Sequence, residues 1–412
     1  MKYGLIGEKL GHSFSKEIHE RIGNYNYELI ELNKDEFDSF MMKRNFRAIN
    51  VTIPYKKDVI KYLDYISLEA KKIDAVNTII NKDGKLYGYN TDYLGFKEML
   101  NYFDIDVKDK NIMILGTGGT SNTSYHVVND LECKNVIFVS RNKKENVITY
   151  DDISLHSKNI DVLINTTPVE MYPNNECEII TSLNDFTSLK AIVDVVYNPL
   201  NTNLVLKAKE KNIVCCTGLY MLISQAVFAC ELFLEKDIDK SIINSIYQEM
   251  IKEKENIVLI GMPSSGKSTI GKLLSDKLNR TFIDIDEMIV SKINMSIKDY
   301  FSKYGEQSFR NIEAEVIKNI SKNNSIVIST GGGSILRKEN VDALRRNGKI
   351  FFLDRSLDNL LFTDDRPLSS SKEDLEKLFN DRYHKYLSIC DERIDSNISI
   401  DEVISQIEER RK

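Results

Sequence analysis

The stretch I-V-L-I-G-M-P-S-S-G-K-S, residues 257–268, decides the fold of the C-terminal part of this 412-residue chain. From Gly261 to Ser268 it fits the phosphate-binding pattern G-x-x-x-x-G-K-[ST]. An apolar strand pattern, Ile257–Ile260, precedes the loop, and the helical pattern T-I-G-K-L-L-S-D-K-L follows it. Backbone N–H groups of such a loop point at phosphates, and the helix N-terminus favours negative charge. The stretch therefore predicts an α/β domain with a phosphate-binding loop.

The loop also predicts its ligands. Lys267 would reach the β- and γ-phosphates of ATP, and the Ser268 hydroxyl would bind Mg²⁺. The residues predicted to bind ATP through this loop are Gly261, Ser264, Ser265, Gly266, Lys267, Ser268 and Thr269. ATP and Mg²⁺ are thus the expected cofactors of this part of the chain.

Five further motifs follow the loop: F-I-D-I-D (282–286), G-E-Q-S-F-R-N-I-E (305–313), T-G-G-G (330–333), D-R-P-L (365–368) and D-R-Y-H-K-Y (381–386). Asp284 and Asp286 are two residues apart, so on a strand both would point to one face. In this order the motifs resemble shikimate kinase over about residues 257–395. The stretch before Arg366 is short for that family's lid, and it has no second arginine just upstream.

The resemblance to shikimate kinase implies a role for the charged residues and glycines of these motifs. Asp284 would order Mg²⁺ through water, and Asp286 would hydrogen-bond the diol of shikimate and take the proton of the attacking hydroxyl. Arg310 and Arg382 would clamp the substrate carboxylate, a task that suits the guanidinium fork. The remaining implied site residues are Gly331, Gly332 and Gly333, which would let backbone approach the ring, and Arg366, a lid residue that would contact ATP and stabilise the transferred phosphoryl group.

A second glycine-rich stretch, I-M-I-L-G-T-G-G-T-S (112–121), follows a strand pattern and precedes a helical one. It contains Gly116, Gly118 and Gly119, but Ser121 replaces the third glycine of the dinucleotide pattern. Alone, it could be a glycine turn without a cofactor. After the next strand, Ser140 and Arg141 stand where an NAD-binding fold would usually place an acidic residue. A cationic fork at that position favours the 2′-phosphate of NADP.

Seven separate segments add a second resemblance. They are L-G-H-S-F-S (10–15), N-V-T-I-P-Y-K (50–56), D-A-V-N-T (74–78), G-Y-N-T-D (88–92), I-N-T-T-P-V-E-M (164–171), V-V-Y-N-P-L-N-T (195–202) and G-L-Y-M-L-I-S-Q (218–225). In this order they resemble shikimate dehydrogenase over about residues 3–245. One difference is Glu170, which stands where a glycine is common.

The second resemblance implies that Lys56 and Asp92 are catalytic. A ketone that accepts hydride needs a proton for the developing alkoxide, and a lysine oriented by a carboxylate can supply it. Asp92 could also act as the N-cap of the following helix. The implied substrate-binding residues are Ser13, Ser15, Thr52, Lys56, Asn77, Asp92 and Gln225. The implied NADP-binding residues are Gly116, Gly118, Gly119, Ser140, Arg141, Asn165, Tyr197 and Gly218.

Together the two resemblances predict a bifunctional α/β protein of aromatic amino-acid biosynthesis. NADPH would reduce 3-dehydroshikimate to shikimate, and ATP would then phosphorylate shikimate to shikimate 3-phosphate. The expected domains are a substrate lobe at 1–100 completed by 219–246, a Rossmann-like NADP lobe at 101–218, a linker at 247–254 and a phosphate-loop kinase domain at 255–412. Three alternatives stay open: a quinate/shikimate dehydrogenase that uses NAD, a kinase half that is a non-catalytic binding or regulatory module, and a kinase half that acts on another small polyol or a nucleotide.

Net charge, the length of apolar stretches and the cysteine pattern limit the kinds of partner that we expect. The formal net charge of −6 argues against nucleic acid as a partner. No stretch approaches the roughly 20 apolar residues that cross a bilayer, and six cysteines without a C-x-x-C pair suggest neither a disulfide framework nor a zinc site. We therefore expect a cytoplasmic enzyme with small-molecule substrates and no membrane partner. The sequence leaves open whether it forms a homodimer.

Overall fold

The computed structural model describes residues 2–11, 13–172, 177–360 and 371–411. The chain divides into two compact units, residues 1–198 with 207–249 and residues 199–206 with 250–412. Within the described ranges, no helix combines the length and the apolar composition needed to cross a bilayer. Both units are α/β, which confirms the predicted fold class.

The strands and helices alternate along most of the chain. The strands are β1 (Tyr3–Gly7), β2 (Tyr27–Glu31), β3 (Ala48–Val51), β4 (Tyr65–Ile66), β5 (Thr78–Lys82), β6 (Lys85–Tyr89), β7 (Asn111–Leu115), β8 (Asn135–Ser140), β9 (Val147–Thr149), β10 (Val162–Asn165), β11 (Ala191–Asp194), β12 (Val214–Thr217), β13 (Asn256–Ile260), β14 (Thr281–Asp284), β15 (Ile326–Ser329), β16 (Gly348–Asp354) and β17 (Glu392–Asp395). The helices are α1 (Ser15–Ile22), α2 (Lys34–Lys43), α3 (Leu68–Ile73), α4 (Thr91–Tyr102), α5 (Gly119–Asp130), α6 (Ile153–His156), α7 (Asn203–Glu210), α8 (Leu219–Leu234), α9 (Ser241–Lys254), α10 (Lys267–Leu278), α11 (Ile285–Ile293), α12 (Ile297–Ile320), α13 (Lys338–Asn347), α14 (Lys372–Ile389) and α15 (Ile400–Glu409).

The first sheet of the first unit is mixed and has the strand order β2-β1-β3-β5-β6-β4. β1 pairs in parallel with β2 and β3, whereas β5 is antiparallel to both β3 and β6. β1 and β3 are buried along their whole length, and Ile6, Ile49 and Ile79 contribute to the core. Two residues predicted to bind substrate adjoin its strands: Thr52 directly follows β3, and Asn77 directly precedes β5.

The second sheet of the first unit is parallel throughout, in the order β12-β11-β10-β7-β8-β9. Its central strands are continuous apolar runs, as expected for a sheet covered on both faces. The order reverses at β7, which has β10 on one side and β8 on the other. In sheets of this kind, ligands bind beyond the carboxyl ends of the strands at such a reversal.

Helix α8 packs on α4 in the first unit at very short range. A Cβ added to Gly95 of α4 would lie 2.8 Å from the carbonyl oxygen of Met221. Because glycine lets the two helices approach so closely, the side chain of Gln225 reaches the first turn of α4, where Thr91 lies. The close packing of α8 on α4 therefore places Gln225 beside Thr91.

The predicted linker at 247–254 is helical instead. It forms the C-terminal half of α9, which ends two residues before β13 begins. Its charged residues suggested a linker, but Ile243, Ile246 and Met250 are buried at helical spacing. An amphipathic helix with such a stripe is stabilised by packing even where its outer face is highly charged.

The second unit has a parallel sheet in the order β14-β15-β13-β16-β17. The predicted strands Ile257–Ile260, Val327–Ser329 and Ile350–Leu353 lie within β13, β15 and β16. The phosphate-binding loop joins β13 to α10, as its pattern predicted. One irregularity is Gly305, whose φ of 78° and ψ of 168° divide α12 into two helical parts.

Candidate active sites

Lys56 and Asp92 form an ion pair in the first unit, with 2.6 Å between Nζ and Oδ2. Lys56 follows β3, and Asp92 lies in the first turn of α4. Their side chains are 23% and 16% exposed, so both are shielded but still accessible. The pair has the arrangement that a proton donor and its orienting carboxylate require.

Asp92 does not cap α4, contrary to one reading of the sequence. The N-cap is Asn90, whose side chain accepts a hydrogen bond from the N–H of Tyr93. The Asp92 carboxylate is thus available to hold Lys56.

Two predicted substrate-binding residues, Asn77 just before β5 and Gln225 on α8, meet at the start of α4. Asn77 Oδ1 accepts from the N–H of Thr91 at 2.7 Å, and Thr91 Oγ1 donates to Gln225 Oε1 at 3.3 Å. Asn77 and Gln225 thereby each lie one hydrogen bond from Thr91, the residue that precedes Asp92. These contacts bring three of the predicted residues together around a single helix N-terminus.

Ser13 and Ser15 lie next to each other at the start of α1. Their hydroxyls are 3.0 Å apart, and Ser13 Oγ also accepts from the N–H of Ser15 at 3.2 Å. Thr52 follows β3, where its N–H donates to the carbonyl of Ile6 at 3.0 Å. All three follow or precede elements of the mixed sheet, so the fold holds their backbones in place.

The glycine-rich stretch of the first unit turns sharply between β7 and α5. Gly116 has φ of 109°, a left-handed conformation that glycine adopts without strain. Ser121, in the place of the third glycine, donates from Oγ to the Gly116 carbonyl at 2.8 Å and so braces the turn. A Cβ on Gly118 or Gly119 would meet open space. The loop has room on its outer side for the phosphates of a dinucleotide.

Arg141 follows Ser140 at the carboxyl end of β8 and is exposed. Within the ranges that the structure describes, it forms no ion pair, and Ser140 Oγ instead donates to the carbonyl of Asn142 at 2.6 Å. An unpaired guanidinium beside the glycine turn fits the 2′-phosphate of NADP.

Two residues predicted to bind NADP have another role in this structure. Asn165 is fully buried, its Nδ2 donates to Asp194 at 3.0 Å, and its Oδ1 accepts from the N–H of Thr167. Its side chain therefore positions the loop after β10, and its predicted contact with NADP stays a prediction. A Cβ on Gly218 would lie 2.0 Å from the Val195 carbonyl oxygen, so close packing alone requires glycine there.

Tyr197 and Glu170 lie near the same loops. The ring of Tyr197 contacts that of Phe14, with centroids 5.4 Å apart, and so lies beside Ser13 and Ser15. Glu170 has φ of 70°, which explains why glycine suits its position, and its buried carboxylate accepts from the N–H of Ile179 at 3.0 Å.

In the phosphate-binding loop of the second unit, the side chain of Lys267 is hydrogen-bonded to the backbone of the loop. Lys267 Nζ donates to the carbonyls of Gly261 and Met262, at 3.0 and 2.8 Å. Ser265 is fully buried, and Gly266 has φ of 92° at the N-cap of α10. The loop therefore holds the lysine at the centre of the cradle.

Ser268 and Asp284 lie together beside this loop, with 2.6 Å between Oγ and Oδ2. Oxygen donors of these two kinds are the ligands that Mg²⁺ prefers, so the pair fits the predicted metal site. No group of three or more His, Cys, Asp or Glu residues suited to a metal occurs in the described part of the chain. Such a site would accordingly rely on water and phosphate oxygens for its other ligands.

Asp286 does not share a strand with Asp284. Asp284 ends β14 and caps α11, accepting from the N–H of Asp286 at 3.0 Å, while Asp286 lies in the first helical turn. The strand ends two residues early because an Asp side chain at that point can satisfy the free N–H groups of a helix start.

One cavity of 860 Å³ joins the loop to the predicted shikimate-binding residues. The predicted residues that line it are Ser264, Gly266, Lys267, Ser268, Thr269, Asp284, Asp286, Arg310, Gly331, Gly332, Gly333 and Arg382. Arg366 lies outside the described residues. A nucleotide loop and an anion-binding pocket thus open into the same space.

The two arginines of this cavity are buried in different electrostatic settings. Arg310 pairs with Glu313 at 2.8 Å and with Glu306 at 3.1 Å. Burial lowers the pKa of Arg310, but the two carboxylates outweigh this and raise it. Arg382 has no carboxylate within ion-pair distance in the described ranges, and burial, with the Arg310 cation adding to it, lowers its pKa. A buried guanidinium without a counter-ion favours binding of an anion.

The glycines of T-G-G-G leave room for two side chains of the site, Asp286 and Arg310. A Cβ on Gly331 would lie 2.7 Å from Asp286 Oδ1, and one on Gly333 would lie 2.3 Å from Arg310 Nη2. Any larger residue would displace the carboxylate or the guanidinium. These glycines were predicted to face the substrate ring, and their packing against Asp286 and Arg310 was not predicted.

Arg355 is a further residue of this site that was not predicted from the sequence. It follows β16, lines the same cavity, and donates from Nε to the Asn359 carbonyl at 2.9 Å. No motif in the sequence marks this arginine as a site residue. It lies near the phosphate-binding loop because β16, which precedes it, pairs with β13, which precedes the loop.

Comparisons with known proteins agree with this division of the chain. A shikimate kinase family profile matches residues 263–412, and a profile of the shikimate dehydrogenase substrate-binding domain matches residues 5–79. Shikimate dehydrogenase (NADP(+)) of Clostridium perfringens is 39% identical over 266 residues, covering 60% of this chain and 97% of that protein. The enzyme of the same name from Methanococcus maripaludis is 35% identical over 272 residues, covering 59% and 97%.

Solved structures give the same result for the first unit. The crystal structure of shikimate dehydrogenase 1 from Peptoclostridium difficile has a TM-score of 0.56 and 35% identity, and the match covers 61% of this chain and 98% of that chain. A chorismate mutase/shikimate 5-dehydrogenase fusion protein from Clostridium acetobutylicum has a TM-score of 0.56 and 36% identity, covering 60% and 96%.

Proposed function

Because the chain belongs to the shikimate dehydrogenase family and carries a shikimate kinase domain after that part, we propose that it makes shikimate and then consumes it. The first unit would reduce 3-dehydroshikimate with NADPH. The second would transfer a phosphoryl group from ATP to the 3-hydroxyl of the product.

In the first reaction NADPH supplies the hydride, and the chain supplies the proton. As negative charge develops on the ketone oxygen, the Lys56 ammonium donates a proton to it. Asp92, 2.6 Å from Nζ, keeps the ammonium in place and balances its charge. Ser13 and Ser15 would bind the carboxylate of the ring acid, and Asn77 with Gln225 its ring oxygens.

NADP binding would use the space outside Gly118 and Gly119 and the cation of Arg141, which forms no ion pair with the described residues. The N–H groups at the start of α5 favour the pyrophosphate, and the guanidinium favours the 2′-phosphate. These features support NADP over NAD.

In the second reaction ATP supplies the phosphoryl group, and the chain orients the acceptor. Asp286 would accept the proton of the attacking hydroxyl, while Arg310 and Arg382 hold the carboxylate at the other end of the ring. Lys267 and the loop N–H groups would stabilise charge on the phosphates. Ser268 and Asp284 would hold Mg²⁺.

One observation carries the proposal: a single cavity contains a phosphate cradle, a carboxylate and an arginine, Arg382, that has no carboxylate partner among the residues that the structure describes. An acceptor that satisfies all three groups has a hydroxyl at one end and an anion at the other. Shikimate meets that description, and the first unit has the residues to produce it.

The two half-reactions can be separated with two variants of the full chain. Lys56→Ala should abolish 3-dehydroshikimate reduction, followed as loss of NADPH absorbance, and leave shikimate phosphorylation intact. Lys267→Ala should do the reverse. The matched controls are Lys57→Ala and Lys272→Ala, since both of these lysines are exposed and paired with surface carboxylates. Reduction at the normal rate by Lys56→Ala would refute the assignment of the first site, and normal phosphorylation by Lys267→Ala that of the second.

A further inference from the structure

A chain of buried polar side chains crosses the mixed sheet of the first unit behind the substrate residues. It begins at Tyr27 on β2, passes through Asn50 on β3 and Thr78 on β5, and ends at Asn77. All four residues are buried. Buried polar groups are retained where each has a partner, so the direction of every hydrogen bond can be worked out.

The orientation of Asn50 follows from a group that can only accept. Asn50 Nδ2 lies 3.2 Å from the backbone carbonyl of Asn77, so this end of the carboxamide must be the NH₂ group. Its oxygen consequently faces Tyr27, whose hydroxyl donates to it at 2.7 Å.

Tyr27 is well suited to donate at any ordinary pH. Its ring is fully buried and stacks on His19 with 4.1 Å between centroids and 7° between planes. Burial raises the pKa of the Tyr27 phenol well above its ordinary value, so the hydroxyl keeps its proton.

The orientation of Asn77 follows from a group that can only donate. The backbone N–H of Thr91 lies 2.7 Å from Asn77 Oδ1, so that atom must be the oxygen. Thr78 supports the same orientation, because its hydroxyl accepts from Asn50 Nδ2 at 3.1 Å and donates to Asn77 Oδ1 at 3.0 Å.

The result is a site with defined polarity. Asn77 Nδ2 uses one hydrogen for Thr91 Oγ1, at 3.1 Å, and Gln225 Nε2 uses one for the Leu222 carbonyl, at 2.9 Å. Within the described part of the chain, the second hydrogen of each amide has no partner. Both carboxamides therefore present N–H donors.

We propose that Tyr27, Asn50 and Thr78 are positioning residues that fix Asn77 and Gln225 as hydrogen-bond donors toward a ring oxygen of the substrate. They do this without touching the substrate themselves. The inference rests on the proposed function of the first unit and adds the polarity of its substrate contact: the site requires an oxygen that accepts hydrogen bonds.

The test compares two substitutions at one position in the full chain. Thr78→Val keeps the shape and removes the hydroxyl, whereas Thr78→Ser keeps the hydroxyl. We expect Thr78→Val to raise the KM for shikimate about tenfold, the effect of one misdirected hydrogen bond, with kcat and the KM for NADP changed less than twofold. Thr78→Ser should retain the original KM. The kcat for shikimate oxidation and the KM for NADP, measured on the same samples, report whether the first unit is folded.

Tyr27→Phe gives an independent variant, since it removes only the donor to Asn50 and should likewise raise the KM for shikimate. If both Thr78→Val and Tyr27→Phe keep the original KM, or if Thr78→Ser loses as much as Thr78→Val, the positioning role is refuted. Absence of shikimate oxidation by the unsubstituted chain would refute the proposed function as well, so the two failures are distinguishable.

Discussion

Replacing Arg382 with methionine should separate substrate affinity from stability in the kinase unit. The guanidinium is buried beside Arg310 and has no carboxylate partner among the described residues. A hydrogen bond to a charged group contributes about 1.5–3 kcal/mol. At about 1.4 kcal/mol per factor of ten, losing one such bond raises the KM for shikimate roughly 10- to 150-fold.

Stability should respond in the opposite sense. Removing a buried charge without a counter-ion relieves its desolvation, and methionine fills much of the same volume. We therefore expect the ligand-free unit of Arg382→Met to unfold at the same or a higher temperature than the unsubstituted protein.

The assay is shikimate-dependent release of ADP at saturating ATP, with thermal unfolding measured on the same samples. Lys385→Ala, on the exposed face of the same helix, is the matched control and should change neither quantity. An unchanged KM for shikimate would refute the carboxylate-binding role of Arg382. A large loss of stability with an unchanged KM would show that the guanidinium has a structural partner instead.

Three more outcomes are expected. Arg141→Ala should raise the KM for NADP about tenfold, the loss of one charged hydrogen bond, and leave the KM for NAD unchanged; an equal rise for both cofactors would contradict the 2′-phosphate contact. Ser268→Ala should raise the Mg²⁺ concentration needed for half-maximal phosphorylation and leave reduction unaffected, whereas an unchanged Mg²⁺ dependence would exclude Ser268 as a ligand. Burial lowers the pKa of His19 to about 3 from its ordinary 6.5, so between these values the unfolded chain binds a proton that the folded chain does not. Stability should therefore fall with decreasing pH, by up to about 1.4 kcal/mol per unit. His19→Asn should flatten this slope in urea unfolding series, and an equally steep slope in the variant would contradict the assignment.

The sequence predicted the strands and the loops that carry strong local patterns. β10 and β13 are uninterrupted apolar runs bounded by polar or glycine residues, and the phosphate loop has fixed glycine and lysine positions between a strand and a helix. Such signals lie within a few neighbouring residues, so they are readable without tertiary contacts.

What the sequence did not predict depends on contacts between distant segments. Tyr27 on β2 reaches Asn50 on β3 because both strands pair with β1 in the same sheet. Arg355 reaches the phosphate loop because β16, which precedes it, pairs with β13. Asn165 belongs to a motif that resembles the dehydrogenase family, and the sequence alone did not predict that its side chain is buried and hydrogen-bonded to Asp194.

Local conformation at boundaries was harder to predict, because alternative structures compete there. The 247–254 stretch contains the boundary between the two units, between residues 249 and 250, but packing of one apolar stripe makes it helical. Asp286 fitted a strand by alternation, but Asp284 provided a helix cap that ended the strand first.

The most direct test is to incubate the full chain with 3-dehydroshikimate, NADPH and MgATP and to quantify all products by mass spectrometry. Two active sites on one polypeptide predict shikimate 3-phosphate, ADP and NADP in equal amounts once the 3-dehydroshikimate is exhausted. Accumulation of shikimate with no phosphorylated product, or persistence of 3-dehydroshikimate beside unused NADPH, would contradict the account.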